Sequence, residues 1–146
     1  MKAKKWIERA NARRDPIDKF RDLWVAFNNQ YAAYSGNQRE KIERYIDDRV
    51  SEEIALGILD DQSDQIEFLL SRPVIDMRSN GRNTQHLINA FRSSKDAVEK
   101  LKSILLIAYQ VRCNLVHGQK SPDRNRDRNL CECSGAVLST VLNSTS

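Results

Sequence analysis

A chain of 146 residues with 40% hydrophobic and 30% charged content holds enough apolar material for one core, and no more than one domain is expected over 1–146. Five glycines and three prolines are too few for the many tight turns of an all-β domain. A net charge of +4 is compatible with a polyanionic partner without requiring one. The longest apolar run, ILLIAY at 104–109, falls far short of the roughly 20 residues that span a bilayer. The charged start MKAKKWIERANARRD lacks a signal-peptide pattern, so a soluble, cytoplasmic protein without a membrane partner is expected.

The chain reads as helix almost throughout, and the expected fold class is all-α: an up-and-down bundle of about five to six helices. KKWIERANA is a short amphipathic start. Its cations (Lys4, Lys5, Arg9, with Lys2, Arg13 and Arg14 around them) read as a solvated face. Asp15-Pro16 then supplies an N-cap and a first helical position. A helix over roughly 16–34 follows, with Phe20, Leu23, Trp24, Phe27 and Tyr31 on one face and the glycine of YSGN as its stop. Asn28 lies among these aromatics, either as a structural amide or as a group reaching a site. QREKIERYIDDRV continues as a charged helix with Ile42, Tyr45, Ile46 and Arg49 in register.

Residues 51–71 predict one or two shorter helices, started by Ser51 with Glu52 and Glu53 and interrupted at DDQSD. SRPVIDMRSNGRNT breaks every helical pattern, so 72–84 is expected to be a long loop. A helical stretch over 84–117 is expected to break near SSKD, with Ser94 as a cap. Beyond it Ala97, Leu101, Ile104, Ala108, Val111 and Leu115 form a core stripe. Leu105, Leu106, Ile107 and Tyr109 occupy the other faces, a girth that suggests either a central helix or one covered by a second subunit; a dimer is the expectation. A final helix is capped by Ser121 or Asp123, with Pro122 near its first position. It carries the stripe Leu130, Cys133, Val137 and Val141 and ends in a tail, 143–146, expected to fray.

Three cysteines do not make a disulfide framework, and Cys131-x-Cys133 matches no common zinc module, because residues two apart on a helix diverge. No metal or other cofactor is expected. His86 reads as a surface histidine.

The segment that can carry chemistry is AYQVRCNLVHGQKSP, 108–122. At about 100° per residue, Arg112 falls on the flank of the core stripe, while Cys113 and His117 share a face directed away from it. Asn114 is adjacent to His117, and Gly118 ends the helix. A histidine near its ordinary pKa can take or give a proton near neutral pH. A guanidinium can brace a phosphate at two points. RNA brings its own nucleophile, the 2′-hydroxyl, so this set can serve phosphodiester cleavage without a metal. One histidine cannot easily serve both faces of the phosphorus, whereas two symmetry-related copies in a dimer can. The competing account is structural: Arg and His near a helix C-terminus complement the helix dipole.

IAYQVRCNLVHGQKSPDRNRDRNL, 107–130, resembles the C-terminal signature of the HEPN superfamily, small helical bundles in which R-x4–6-H marks a ribonuclease site. FRDLWVAFNNQY, 20–31, resembles an early helix of stand-alone prokaryotic members. The resemblance implies a dimer whose two R-x4–6-H motifs meet at the subunit interface. It also implies metal-independent endoribonuclease activity in a toxin–antitoxin or phage-defence setting, leaving 2′,3′-cyclic phosphate ends, with an antitoxin or defence partner protein. Carried over, Arg112 braces phosphate, His117 is the acid/base and Asn114 orients. Lys120, Arg124, Arg126 and Arg128 would offer RNA contacts, together with Cys113 and Asn28. Family members often have Asn directly after the arginine; here that position is Cys113, with Asn114 next. The alternatives are a non-catalytic module of the same kind that binds RNA or a partner protein, and a scaffold bundle in which Arg112 only caps a helix.

Overall fold

A computed structural model describes Lys5, Ile7, Glu8 and residues 15–78, 80–116 and 124–145. Seven helices are found among them: α1 (Pro16–Tyr31), α2 (Gln38–Arg49), α3 (Glu52–Asp61), α4 (Ser63–Leu70), α5 (Gln85–Ser93), α6 (Ala97–Val116) and α7 (Arg124–Thr145). This is more than the five or six expected, because both 51–71 and the stretch from 84 onward divide in two.

Local chemistry sets the starts of α1, α2, α3 and α6. The Asp15 carboxylate accepts from the Ile17 amide at 2.9 Å, and Pro16 follows with its fixed φ. Gly36, at φ 108°, turns the chain into Asn37, which forms a reciprocal capping box with Glu40. The Ser51 hydroxyl accepts from the Ile54 amide at 3.2 Å. At the SSKD break Asp96, rather than Ser94, caps α6: its carboxylate accepts from the Val98 and Glu99 amides at 2.8 and 3.2 Å. Ser94 accepts from the Asp96 amide, one step further back. The expected caps of α7, Ser121 and Asp123, lie outside the described residues, as does most of the amphipathic start before Asp15.

The fold is organised around α6. It packs against α2, α3, α4, α5 and α7, while α1 lies chiefly along α7. Leu101, Ile104, Leu105, Ile107 and Ala108 are fully buried and Leu106 nearly so. The apolar girth of α6 is thus covered by its own chain, and it no longer argues for a second subunit. An aromatic cluster ties α1 to its neighbours: Trp24 stacks on Tyr109 at 5.8 Å, and Phe27 meets Tyr31 and Tyr45 edge-on at 5.1 and 5.7 Å.

Two registers differ from expectation. In α7 the buried thiol is Cys131, and Cys133 sits at the margin, because Leu130, Cys131, Val137, Leu138, Val141 and Leu142 form a broader stripe than the sequence spacing suggested. Burial pushes the Cys131 thiol up to about 12. In α2 Arg49 is exposed and lies over the Tyr45 ring instead of joining the core. Helix α7 also runs to Thr145, into the stretch expected to fray, where the buried Tyr45 donates its hydroxyl to the Thr145 hydroxyl at 2.8 Å. No described helix is long and apolar enough to cross a membrane.

Candidate functional site

The last turn of α6 presents two different flanks. On one, Arg112, Leu115 and Val116 face Arg21, Trp24, Val25 and Asn28 of α1 across a groove of about 320 Å³. Helical spacing explains the set, since 112, 115 and 116 share a face of α6 as 21, 24, 25 and 28 share a face of α1. Trp24 forms the buried base, while Val25 and Val116 remain 38% and 60% exposed at the rim. Among the described residues the groove is lined by two guanidinium groups and no carboxylate. Neither Arg21 nor Arg112 has a carboxylate partner among the described residues. Arg112 is half-buried, with its stem along the apolar wall.

Two phenols stand behind Arg112. Burial raises Tyr31 to about 12, against the opposing effects of a Trp24 hydrogen bond and the Arg112 charge. Burial also raises Tyr109 to about 12, aided by a hydrogen bond with Cys113. Both therefore stay protonated at neutral pH and serve as hydrogen-bond donors, not as bases. Tyr31 spends its proton on Gln38, at 2.7 Å.

The opposite flank is closed by the 72–84 segment, which contains no helix among its described residues. An isolated antiparallel bridge between Ile75 and Asn83 folds it back on itself, and Gly81, at φ 74°, makes the turn. Asn114 fastens this loop to α6. Its Oδ1 accepts from the Met77 amide at 3.1 Å and from Gln110 Nε2 at 3.0 Å, and its Nδ2 donates to the Ile75 carbonyl at 2.9 Å. Within the loop Asp76, 2% exposed, accepts from Arg78 Nη2 at 2.7 Å and from Asn80 Nδ2 at 3.0 Å. These bonds, the Arg78 fork first, hold the Asp76 carboxyl well below the ordinary carboxylate range despite its burial. Arg78 is thereby fixed within electrostatic reach of Cys113 and Tyr109.

The structure thus brings Arg112 and Asn28 to one groove and takes Asn114 out of it. Cys113 faces Tyr109 and does not line the groove. Arg126 lies elsewhere, donating to the Arg72 carbonyl at 3.1 Å and covering the Phe68 ring. Arg128 is 3.9 Å from Asp15, at the start of α1. His117, Gly118, Lys120 and the Arg124 side chain lie outside the described residues. His86 is exposed and lines a separate cleft with Arg39, Tyr109 and Gln110. No three His, Cys, Asp or Glu side chains converge as metal ligands among the described residues. Sequence reasoning missed Arg21 and Arg78. Arg21 could have been found from its position seven residues before Asn28, two turns along the same face; Arg78 had no such signal, since a loop has no period. No family model, curated protein or solved structure matches this chain.

Proposed function

We propose that this protein is a metal-independent endoribonuclease of the HEPN kind, acting in a toxin–antitoxin or phage-defence setting. Its site would be completed by a second copy of the chain. The observation that carries this reading is Arg112: a half-buried guanidinium without a carboxylate partner among the described residues, directed to a groove lined by cations and an amide. A cation that merely capped its own helix would not need a groove built by another helix around it.

In this reading Arg112 braces the scissile phosphate and stabilises the charge that builds on it during attack. His117 removes the 2′-hydroxyl proton as that oxygen bonds to phosphorus, and the partner's His117 protonates the departing 5′-oxygen. The P–O5′ bond breaks, leaving a 2′,3′-cyclic phosphate and a 5′-hydroxyl. The 2′-hydroxyl is the nucleophile, so this step needs no activated water and no metal to generate one. The second reading is a non-catalytic module that uses the same groove to hold RNA or a partner protein.

The test is incubation of RNA with the protein in EDTA, analysis of the product ends, and sedimentation of the protein at the same concentration. The proposal expects cleavage, cyclic phosphate ends and a dimer. Cleavage by a strictly monomeric protein would overturn the two-copy site, and intact RNA would leave the binding module as the better account.

A further inference from the structure

The groove between α1 and α6 is larger than a clamp on one phosphate requires. At about 320 Å³ it is at the lower end of small-ligand sites, a fit for a single nucleotide and not for a duplex. Its lining is divided in chemistry. Arg21 and Arg112 supply cations from opposite walls, and among the described residues no carboxylate lines the groove between them. Val25, Leu115 and Val116 supply an apolar surface, much of it left exposed at Val25 and Val116. Among the described lining side chains, Asn28 is the one with both a neutral donor and an acceptor.

We infer that Arg21 and Asn28 of α1 complete, with Arg112, a subsite for one nucleotide of unpaired RNA. The two guanidiniums grip its phosphate, the valines and Leu115 take the flat of its base or sugar, and Asn28 hydrogen-bonds its polar edge. The inference rests on Arg112 as the phosphate-bracing residue and adds a binding role for α1. Arg21 is a substrate-positioning residue here, since a guanidinium grips phosphate without moving a proton. An unpaired nucleotide can turn its base into such a groove, whereas a base held in a duplex cannot.

The experiment measures binding of a fluorescent 2′-O-methyl oligoribonucleotide, which cannot be cut because its 2′-oxygen is blocked. The proteins are wild type, Arg21→Ala, Arg21→Lys, Asn28→Ala and, as a charge-matched control outside the groove, Arg92→Ala. All should melt near the wild-type temperature, since each altered residue is exposed. Arg21→Ala should weaken binding about 10-fold and lower the slope of log affinity against log salt by about 1. Arg21→Lys should recover only part of that loss, and Arg92→Ala should bind like wild type. Arg21→Ala and Asn28→Ala that both bind like wild type would overturn the subsite, even if the protein cuts RNA. Competition by polyglutamate as effective as by the oligonucleotide would overturn it too, in favour of an acidic protein segment. Arg21-dependent binding without any cleavage of unmodified RNA would uphold the subsite and remove the ribonuclease reading.

Discussion

The two flanks of the last turn of α6 are built from similar residue types and to different ends. On the loop flank every polar group named is spent: Asn114 holds Ile75, Met77 and Gln110, and Asp76 holds Arg78 and Asn80. On the groove flank Arg21 and Arg112 are without carboxylate partners among the described residues, beside exposed valines. A satisfied network stabilises the fold, whereas paired cations left open add nothing to stability and suit an anion. The comparison separates residues that hold the end of α6 in place from those positioned there for a ligand, although they are only two apart in the chain.

Substitutions can break this division. The largest effect is expected from Arg112→Ala, which should lower RNA cleavage about 100- to 1,000-fold, in the range seen when one oxyanion-stabilising donor is removed. Its melting temperature should stay within about 1–2 °C of wild type, because a half-buried flank residue without a carboxylate partner among the described residues changes stability by about 0.5 kcal/mol. Asn114→Ala should do the reverse. Losing three hydrogen bonds and releasing the loop should cost about 2 kcal/mol, read as a fall of about 4–8 °C in melting temperature. A variant at Asn114 that melts normally and fails to cut would move Asn114 back into the chemistry.

Smaller effects sharpen the loop side. Asp76→Asn should cost about 1 kcal/mol in a urea titration at pH 7, where the native carboxylate is ionised and paired. Because the native carboxyl is held below its unfolded value of about 3.9, the unfolded chain binds the proton first as pH falls. Wild type should therefore lose this stabilisation as the pH drops below about 4, and Asp76→Asn should lose less over the same range. The smallest effect belongs to Arg126→Ala, under about 1 kcal/mol, from one hydrogen bond and a ring contact at an exposed site. If Arg126→Ala instead weakened RNA binding as much as Arg112→Ala, the interface would extend along α7.

The periodic parts of this fold were legible in the sequence. The face of α1 from Phe20 to Tyr31 and the stripe of α6 from Ala97 to Val111 are buried as their spacing predicts. The flank position of Arg112 follows from the same wheel. What spacing could not supply was the partner across each flank. The wheel places Asn114 beside His117 as an orienting amide, because neighbours on a helix are counted from that helix alone, yet its bonds go to Met77 and Ile75, 37 and 39 residues earlier. The same limit applies to Arg21, since the surface it faces is on α6. The girth of α6 suggested a second subunit, but five helices of its own chain wrap it.

The central claim is that Arg112 and His117 act as one chemical unit. The most direct measurement is the rate of RNA cleavage in EDTA by wild type, Arg112→Ala and His117→Ala, each checked by thermal melting. The account predicts cyclic phosphate products from wild type and a loss of at least about 100-fold in both variants, with melting unchanged. A His117→Ala protein that cuts RNA at the wild-type rate would contradict it.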